Sequence, residues 1–511
     1  MKLSKLLCET GIKCPQDISS TAEETEITGL ALDSRKVKKG DLFVCLTGEH
    51  TDGHIYAAEA VWMGAAAVLA QEPMGSRPFP VIPVPDTREA LWRLAKVFYG
   101  DPAADMVIFG VTGTNGKTTV THMLQAIYQT AGIDCGIIGT VGYRVGGDAS
   151  VRPAERTTPE ALDLFFLLSE MKKNGSSYCA MEVSSHGLAL ARVKGISFAA
   201  SIFTNLTEDH LDYHKDMEDY YRAKKKLFEM TDGAAVINVD DGYGARLYRE
   251  LKERGKPVAG CSLTDPAADF YGEIRETSAA GTRFELLKPC RTPLCSVQLP
   301  VPGRFNVENA ILAMTCAVLN GVEPETAAAG LAAFHGAPGR FELVGNDRDI
   351  TIIIDYAHTP DALENVLVTA KSFTRGRLYT VFGCGGDRDA GKRPLMGRIA
   401  GTYSDHSIIT SDNPRTEDQK TIAAQIEAGF REIFQGGTAS YEIINGRREA
   451  IRRALAMCRP GDVLLIAGKG HETSQIIGGS RNYFSDKDTV KGILADQKSR
   501  KEDCACEKKP I

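Results

Sequence analysis

The feature that most constrains this chain is a strand-like run, M-V-I-F at 106–109, passing into G-V-T-G-T-N-G-K-T-T at 110–119, with a helical pattern from 120 to 130. Strand, glycine-rich loop and helix in that order are what a phosphate-binding loop requires. They commit the segment to an α/β unit. Glycines let backbone N–H groups approach phosphate oxygens. Lys117 supplies a point charge for the β- and γ-phosphates, and the Thr118 hydroxyl can ligate Mg²⁺. The common spacing G-x-x-x-x-G-K-[ST] places a glycine at 111, where this chain has Val111. What remains is a tighter core of Gly113, Thr114, Asn115, Gly116, Lys117, Thr118 and Thr119. A glycine-rich turn beside a surface lysine is the plainer alternative, but it leaves the flanking strand and helix unexplained. The guanine-reading N-K-x-D is missing, so ATP is the expected nucleotide.

The rest of the chain alternates β-branched apolar runs with helical patterns, which argues for α/β architecture throughout. Its 511 residues suggest three or four domains at about 150 residues each. Composition breaks at G-D-P (100–102) and G-A-P-G (336–339) divide it into 1–100, 101–340 and 341–511. Sixty Lys+Arg against 66 Asp+Glu give a charge of −6. That offers no basic field for nucleic acid. The longest apolar run, 61–70, is shorter than the roughly 18–20 residues a membrane helix needs. The start, M-K-L-S-K-L-L-C-E, lacks the apolar stretch of a signal peptide. Thirteen cysteines without C-x-x-C pairs read as reduced thiols of a cytoplasmic protein.

Two further loops carry hard or imidazole ligands of the Mg²⁺ type. One is Glu182-Val-Ser-Ser-His-Gly after a strand; the other is T-N-L-T-E-D-H-L-D-Y-H at 204–214, which contains His210. Alone, each histidine reads as a hydrogen-bonded structural residue; behind a phosphate loop the pair points to a site. In the helical pattern 217–230, Met217, Tyr220, Tyr221, Leu227 and Phe228 form an apolar stripe with Lys224 at its centre. Lys225 and Lys226 point away and read as a solvated charge run. A buried lysine has a lowered pKa and a nucleophilic amine, which can take up CO₂ to become a Mg²⁺-binding carbamate. By pattern alone, a lysine that snorkels to the helix edge is the simpler reading. In the third region, strands at 351–354, 378–382, 406–410 and 463–467 each pass into a polar loop. Ligands bind at the carboxyl ends of such strands. Asp387, Arg388, Arg415, His471 and Glu472 together look like one composite site.

These motifs together resemble the Mur ligase family, over essentially the whole chain. The marks are G-T-N-G-K-T-T, E-V-S-S-H-G-L, T-N-L-T-E-D-H-L-D-Y-H, Y-Y-R-A-K-K-K-L-F, G-R-F-N-V-E-N-A-I-L-A, P-G-R-F-E, D-Y-A-H-T-P-D-A-L, G-C-G-G-D-R-D-A-G-K-R-P-L-M-G, S-D-N-P-R-T-E-D and G-K-G-H-E. The resemblance implies three domains: a small α/β amino-terminal domain, a central P-loop ATPase-type sheet, mainly parallel, and a Rossmann-like carboxy-terminal domain. It implies ATP-dependent amide formation in peptidoglycan precursor synthesis. By position, Lys117 serves catalysis and Lys224 is the carbamylated lysine (N6-carboxylysine). Thr118, Glu182, His210 and the Lys224 carbamate are Mg²⁺ ligands. Asn309, Arg340, Asp355 and His358 join the phosphate loop in binding ATP. Ser34, Thr157, Thr158, Ser184 and Arg192 contact a UDP-sugar peptide. Leu190 stands where the family usually has Gln. Asp412, Asn413, Pro414 and Arg415 form the D-N-P-R that goes with meso-diaminopimelate as incoming amino acid, with Arg388, Gly468 and Glu472 beside it. Arg415 can hold a distal carboxylate through a bidentate pair, and lysine would leave it unpaired. The expected partners are these small molecules, with no nucleic acid, no membrane span and a monomeric chain. Folylpolyglutamate synthetase shares the phosphate loop and the lysine site, and a non-catalytic nucleotide-binding regulator of the same fold is the other alternative.

Overall fold

The computed structural model describes residues 1–13, 24–48, 51–75, 77–146, 151–433 and 440–506, with side chains to residue 498. The chain builds three main sheets. The first is parallel: β1 (Gly29–Ala31), β2 (Asp41–Val44), β3 (Ala67–Ala70) and β4 (Val81–Pro83), in that order. The apolar run 61–70 splits between the helix Ala57–Met63 and β3, at Gly64.

The second sheet holds β5 (Val107–Thr112), β6 (Cys135–Ile138), β7 (Tyr143–Arg144), β8 (Tyr178–Glu182), β9 (Phe198–Phe203), β10 (Thr231–Asn238), β11 (Val258–Ser262), β12 (Phe270–Ser278), β13 (Gly281–Lys288) and β14 (Thr292–Leu299). Its order is β14-β13-β12-β11-β10-β9-β5-β8-β6-β7. From β12 to β6 neighbours run parallel, while β7, β13 and β14 pair antiparallel. The middle strands are apolar on both faces because helices cover both. On one face lie Lys117–Thr130, Arg304–Leu319 and Pro324–Ala332, around Val120, Leu124, Ile311 and Leu331. The core of the other face, with Phe165, Phe203 and Phe228, continues through Ile108 and Leu94 to Leu42 and Leu3 of the amino-terminal layer.

The third sheet comprises β15 (Glu342–Val344), β16 (Thr351–Asp355), β17 (Leu378–Phe382), β18 (His406–Ile409), β19 (Ser440–Ile443) and β20 (Val463–Ala467), ordered β15-β16-β20-β17-β18-β19. Only β15 is antiparallel. Separate apolar clusters fill its two faces. A hairpin of β21 (Ser474–Ile477) and β22 (Ser480–Tyr483) follows β20. Among the described residues no helix is long and apolar enough to cross a membrane.

Two features of the helix Met217–Glu229 bear on the sequence reading. Lys224 is 1% exposed, so it does not snorkel. Lys225 is no free solvated charge: its stem lies half-buried and its ammonium pairs with Glu250. Glu250 lies on the neighbouring helix Gly242–Glu253, a partner that one-helix periodicity cannot show. Lys226 is exposed, as expected.

Candidate active site

Three adjacent parallel strands, β8-β5-β9, deliver their following loops to one edge of the central sheet. The phosphate loop leaves β5, Glu182 ends β8, and the 204–214 segment leaves β9. Gly116 has φ +88 as it enters the helix Lys117–Thr130, and a Cβ there would overlap the Asn309 carboxamide. Glycine lets the loop turn left-handed and lie against that side chain.

The loop crowds two lysines onto one acceptor. Lys117 Nζ donates to Gly113 O at 2.9 Å and Thr114 O at 2.8 Å, and Lys224 Nζ donates to the same Gly113 O at 2.7 Å. Lys224 also lies 4.5 Å over the Tyr220 ring. Among the described residues it has no ion-pair partner. Burial, then the charge of Lys117, pushes its pKa well below the usual lysine range. Burial also lowers Lys117. An ammonium taken out of water costs several kcal/mol unless a counter-charge meets it; Asp209 acts in that sense on both lysines and Glu182 on Lys117, but burial outweighs them.

Oxygen donors stand beside them. Glu182 Oε1 accepts from Thr118 Oγ1 at 2.9 Å and Thr140 N at 2.8 Å, and Oε2 from Thr140 Oγ1 at 2.9 Å. A carboxylate and a hydroxyl at the mouth of a phosphate loop form a hard-oxygen set that fits Mg²⁺. Among the described residues no three His, Cys, Asp or Glu side chains cluster as a metal site. The set reaches three anionic or imidazole ligands only if Lys224 carries a carbamate beside Glu182 and His210. His210 adopts φ 56, and desolvation in the cleft, then the nearby Lys224, lowers its pKa.

The carboxy-terminal unit closes this edge. Arg340 stacks 4.3 Å over Tyr356 and donates to Thr118 Oγ1 at 3.3 Å. Asn115 Nδ2 donates to Asp361 at 2.8 Å. Asp355, raised in pKa by burial, accepts from Phe341 N at 2.6 Å and Ala357 N at 2.7 Å. Between the two units lies a cavity of about 240 Å³ lined by the phosphate loop from Thr114 to Thr119, Glu182, His210, Asn309, Arg340, Asp355 and His358. Phe305, Leu312 and Val366 add apolar surface to its lining. A second cavity of about 470 Å³ is lined by Arg388, Asp412, Asn413, Arg415, Gly468 and Glu472. These come from loops after β17, β18 and β20. The two cavities share Asp209, His210, Tyr356, His358 and Asp361 as a common wall. Pro414 lines neither cavity.

The residues matched to the UDP-sugar peptide are less gathered. Thr157 reaches the first cavity and lies 3.0 Å from Thr140 Oγ1. Thr158 is buried and donates to Glu182 O at 2.9 Å, while Ser184 caps the helix Ser185–Ala189 by accepting from Gly187 N at 3.1 Å. Arg192 is engaged by Glu160 at 2.8 Å, and Ser34 donates to Glu59 at 3.0 Å. None of these four lines either cavity. Lys392, Tyr356, Asp209 and Asp361 do, and sequence reading did not single them out. All four sit inside the quoted motifs: Asp209 and Tyr356 in the segments after β9 and β16, Asp361 and Lys392 in the first turns of the helices Pro360–Phe373 and Lys392–Tyr403.

The Mur ligase middle domain matches residues 111–317, the Mur ligase glutamate ligase domain 339–470, and the Mur ligase family catalytic domain 26–99. The chain belongs to the Mur ligase family, ATP-dependent enzymes that form amide bonds. It is 43% identical over 470 residues to the UDP-N-acetylmuramoyl-L-alanyl-D-glutamate–2,6-diaminopimelate ligase of Clostridioides difficile (strain 630), covering 92% of this chain and 95% of that one. The enzyme of the same name from Geobacter metallireducens is 44% identical over 496 residues, covering 93% and 95%. A solved structure of a ligase with this name is 34% identical, with a TM-score of 0.67 over 97% of this chain and 99% of the other.

Proposed function

We propose that this ligase joins meso-2,6-diaminopimelate to the D-glutamyl γ-carboxylate of UDP-N-acetylmuramoyl-L-Ala-D-Glu, splitting ATP to ADP and phosphate, in peptidoglycan precursor synthesis. One observation carries the reading. The second cavity combines guanidinium groups, Arg415 and Arg388, with carboxylates, Asp412 and Glu472, and shares a wall with the nucleotide cavity. The distal end of diaminopimelate offers a carboxylate and an ammonium, which match those two kinds of group.

The 1–100, 101–340 and 341–511 regions then hold one substrate each. Ser34, Thr157, Thr158, Ser184 and Arg192 guide the UDP-sugar peptide, and Thr157 brings its glutamyl end to the nucleotide cavity. Asn309, Asp355 and His358 hold the nucleoside, with Arg340 and Lys117 on its phosphates. To do so Lys117 exchanges Gly113 O and Thr114 O for phosphate oxygens. The γ-carboxylate attacks the terminal phosphorus, ADP leaves, and an acyl phosphate forms. The free amine of diaminopimelate attacks that carbonyl, the nitrogen loses a proton, and phosphate departs. The free-amine form of Lys224, which burial favours, takes up CO₂ and releases a proton, which places a carboxylate against Lys117. Thr118, Glu182, His210 and that carbamate are the residues that would hold Mg²⁺, which supplies charge neutralisation between two anions. Lys117 and Arg340 act in the same electrostatic sense.

The buried free thiols among the described residues suit the cytoplasm. The test is phosphate release from ATP with the UDP-linked dipeptide and either diaminopimelate or lysine. Turnover with diaminopimelate, lost selectively in Arg415→Ala, is expected; equal use of lysine overturns the reading.

A further inference from the structure

Lys469 lies between Gly468 and Glu472 in the G-K-G-H-E loop, yet it lines neither cavity. It is 0% exposed, although lysine is rarely buried completely. Its ammonium donates to Glu472 Oε2 at 2.8 Å and to Asn413 Oδ1 at 3.2 Å. Both partners face the second cavity. Asn413 Nδ2 in turn donates to Glu472 Oε2 at 2.9 Å, and Ile476 N donates to Asn413 Oδ1 at 3.0 Å. Three groups are thus tied into a triangle directly behind the cavity wall.

The triangle fixes polarity. The carbonyl oxygen of Asn413 receives two donors and has no lone pair left for a ligand. Its amide nitrogen spends one hydrogen on Glu472 and keeps the other. Asn413 can therefore offer a bound molecule only an N–H, which suits a carboxylate, as Arg415 does. Glu472 has Oε2 occupied twice and Oε1 remaining, and beside it Asp412 has a buried Oδ2 without a partner among the described residues. Those oxygens suit an ammonium.

We propose that Lys469 is a positioning residue of the amino-acid cavity, a buried cation that orients Asn413 and Glu472 and biases the distal subsite toward a zwitterionic end over a lone ammonium. The inference rests on the diaminopimelate reading. Its charge logic is simple. Removing one buried cation behind the wall makes the subsite more negative, which weakens its hold on a carboxylate and strengthens its hold on an ammonium. A group that only held the loop in shape would act on both amino acids alike.

The experiment compares kcat/KM for diaminopimelate and for lysine in wild type and Lys469→Met, with the UDP-linked dipeptide and ATP saturating. The ratio of diaminopimelate to lysine is expected to fall at least tenfold, mainly through KM for diaminopimelate, with KM for ATP within twofold of wild type. Lys469→Gln is measured alongside because its amide keeps hydrogen-bond donors without charge and guards against misfolding of the methionine variant. It is expected to fold and to lower the ratio too. An unchanged ratio in a variant that melts cooperatively overturns the assignment of Lys469 while leaving the diaminopimelate reading intact. A wild-type enzyme that ignores diaminopimelate overturns both.

Discussion

At the scale of single residues, the centre turns on Lys117 and Lys224 meeting at one carbonyl oxygen. On the proposed role of Lys117 as phosphate counter-charge, phosphate release is expected to drop to background in Lys117→Ala in a coupled assay. On the proposed carbamate, Lys224→Ala would leave the proposed Mg²⁺ set one carboxylate short. Activity is expected to fall at least a hundredfold and to recover in part with added short carboxylates, which can occupy the vacated space. His471 supports a pH prediction. Its Nδ1 is buried without a partner among the described residues, and burial, then Arg340, pushes its pKa down to about 4. The unfolded chain takes up this proton first, near the ordinary histidine value of about 6.5. The stabilisation is whole above that pH and is lost as pH falls from about 6.5 to about 4. His471→Gln is therefore expected to lose less melting temperature than wild type between pH 7 and pH 5. Much of this centre was legible in sequence because phosphate loops, D-N-P-R and G-K-G-H-E are local patterns. Lys469 was not, because its partner Asn413 is remote in sequence and burial has no local signature in a glycine-rich loop.

At the scale of elements, the catalytic edges arise from strand order. Sequence reading located β5, β8, β16, β17, β18 and β20 because each is a short, largely apolar run ending in a polar loop. It did not see the antiparallel β12-β13-β14. Their outer faces alternate charge, as in Glu273, Arg275 and Glu285, and such half-solvated strands lack a continuous apolar run. The contact between the units has its own weak point at Gly339, with φ +64. A Cβ there would overlap the backbone of Gly470 and His471. Left-handed backbone costs a non-glycine residue roughly 1–2 kcal/mol, and two backbones cannot yield as a side chain would. Gly339→Ala is expected to push the P-G-R-F-E turn from the G-K-G-H-E loop, displace Arg340 and weaken ATP binding at least tenfold by calorimetry. Gly345→Ala, with open space around it, is expected to change neither binding nor melting.

At the scale of the whole molecule, the amino-terminal and central layers share one continuous core, whereas the carboxy-terminal sheet has cores of its own. Side chains such as Arg340, Asn115 and Asp361 bridge to it by polar contacts. The thiols report on this packing. Burial pushes Cys45, Cys135, Cys261, Cys384 and Cys458 up to about 12, while Cys8 and Cys290 are exposed. Iodoacetamide at pH 8 is expected to label Cys8 and Cys290 in the native protein and to spare the other five until denaturant is added, as mass spectrometry would read. The common wall of Asp209, His210, Tyr356, His358 and Asp361 has a further consequence for chemistry outside the reaction. On the proposed assignment of the two cavities, a single compound that tethers a nucleotide mimic to an amino-acid mimic through a short linker would occupy both at once. Its second half would bind at the high effective concentration that a short tether creates.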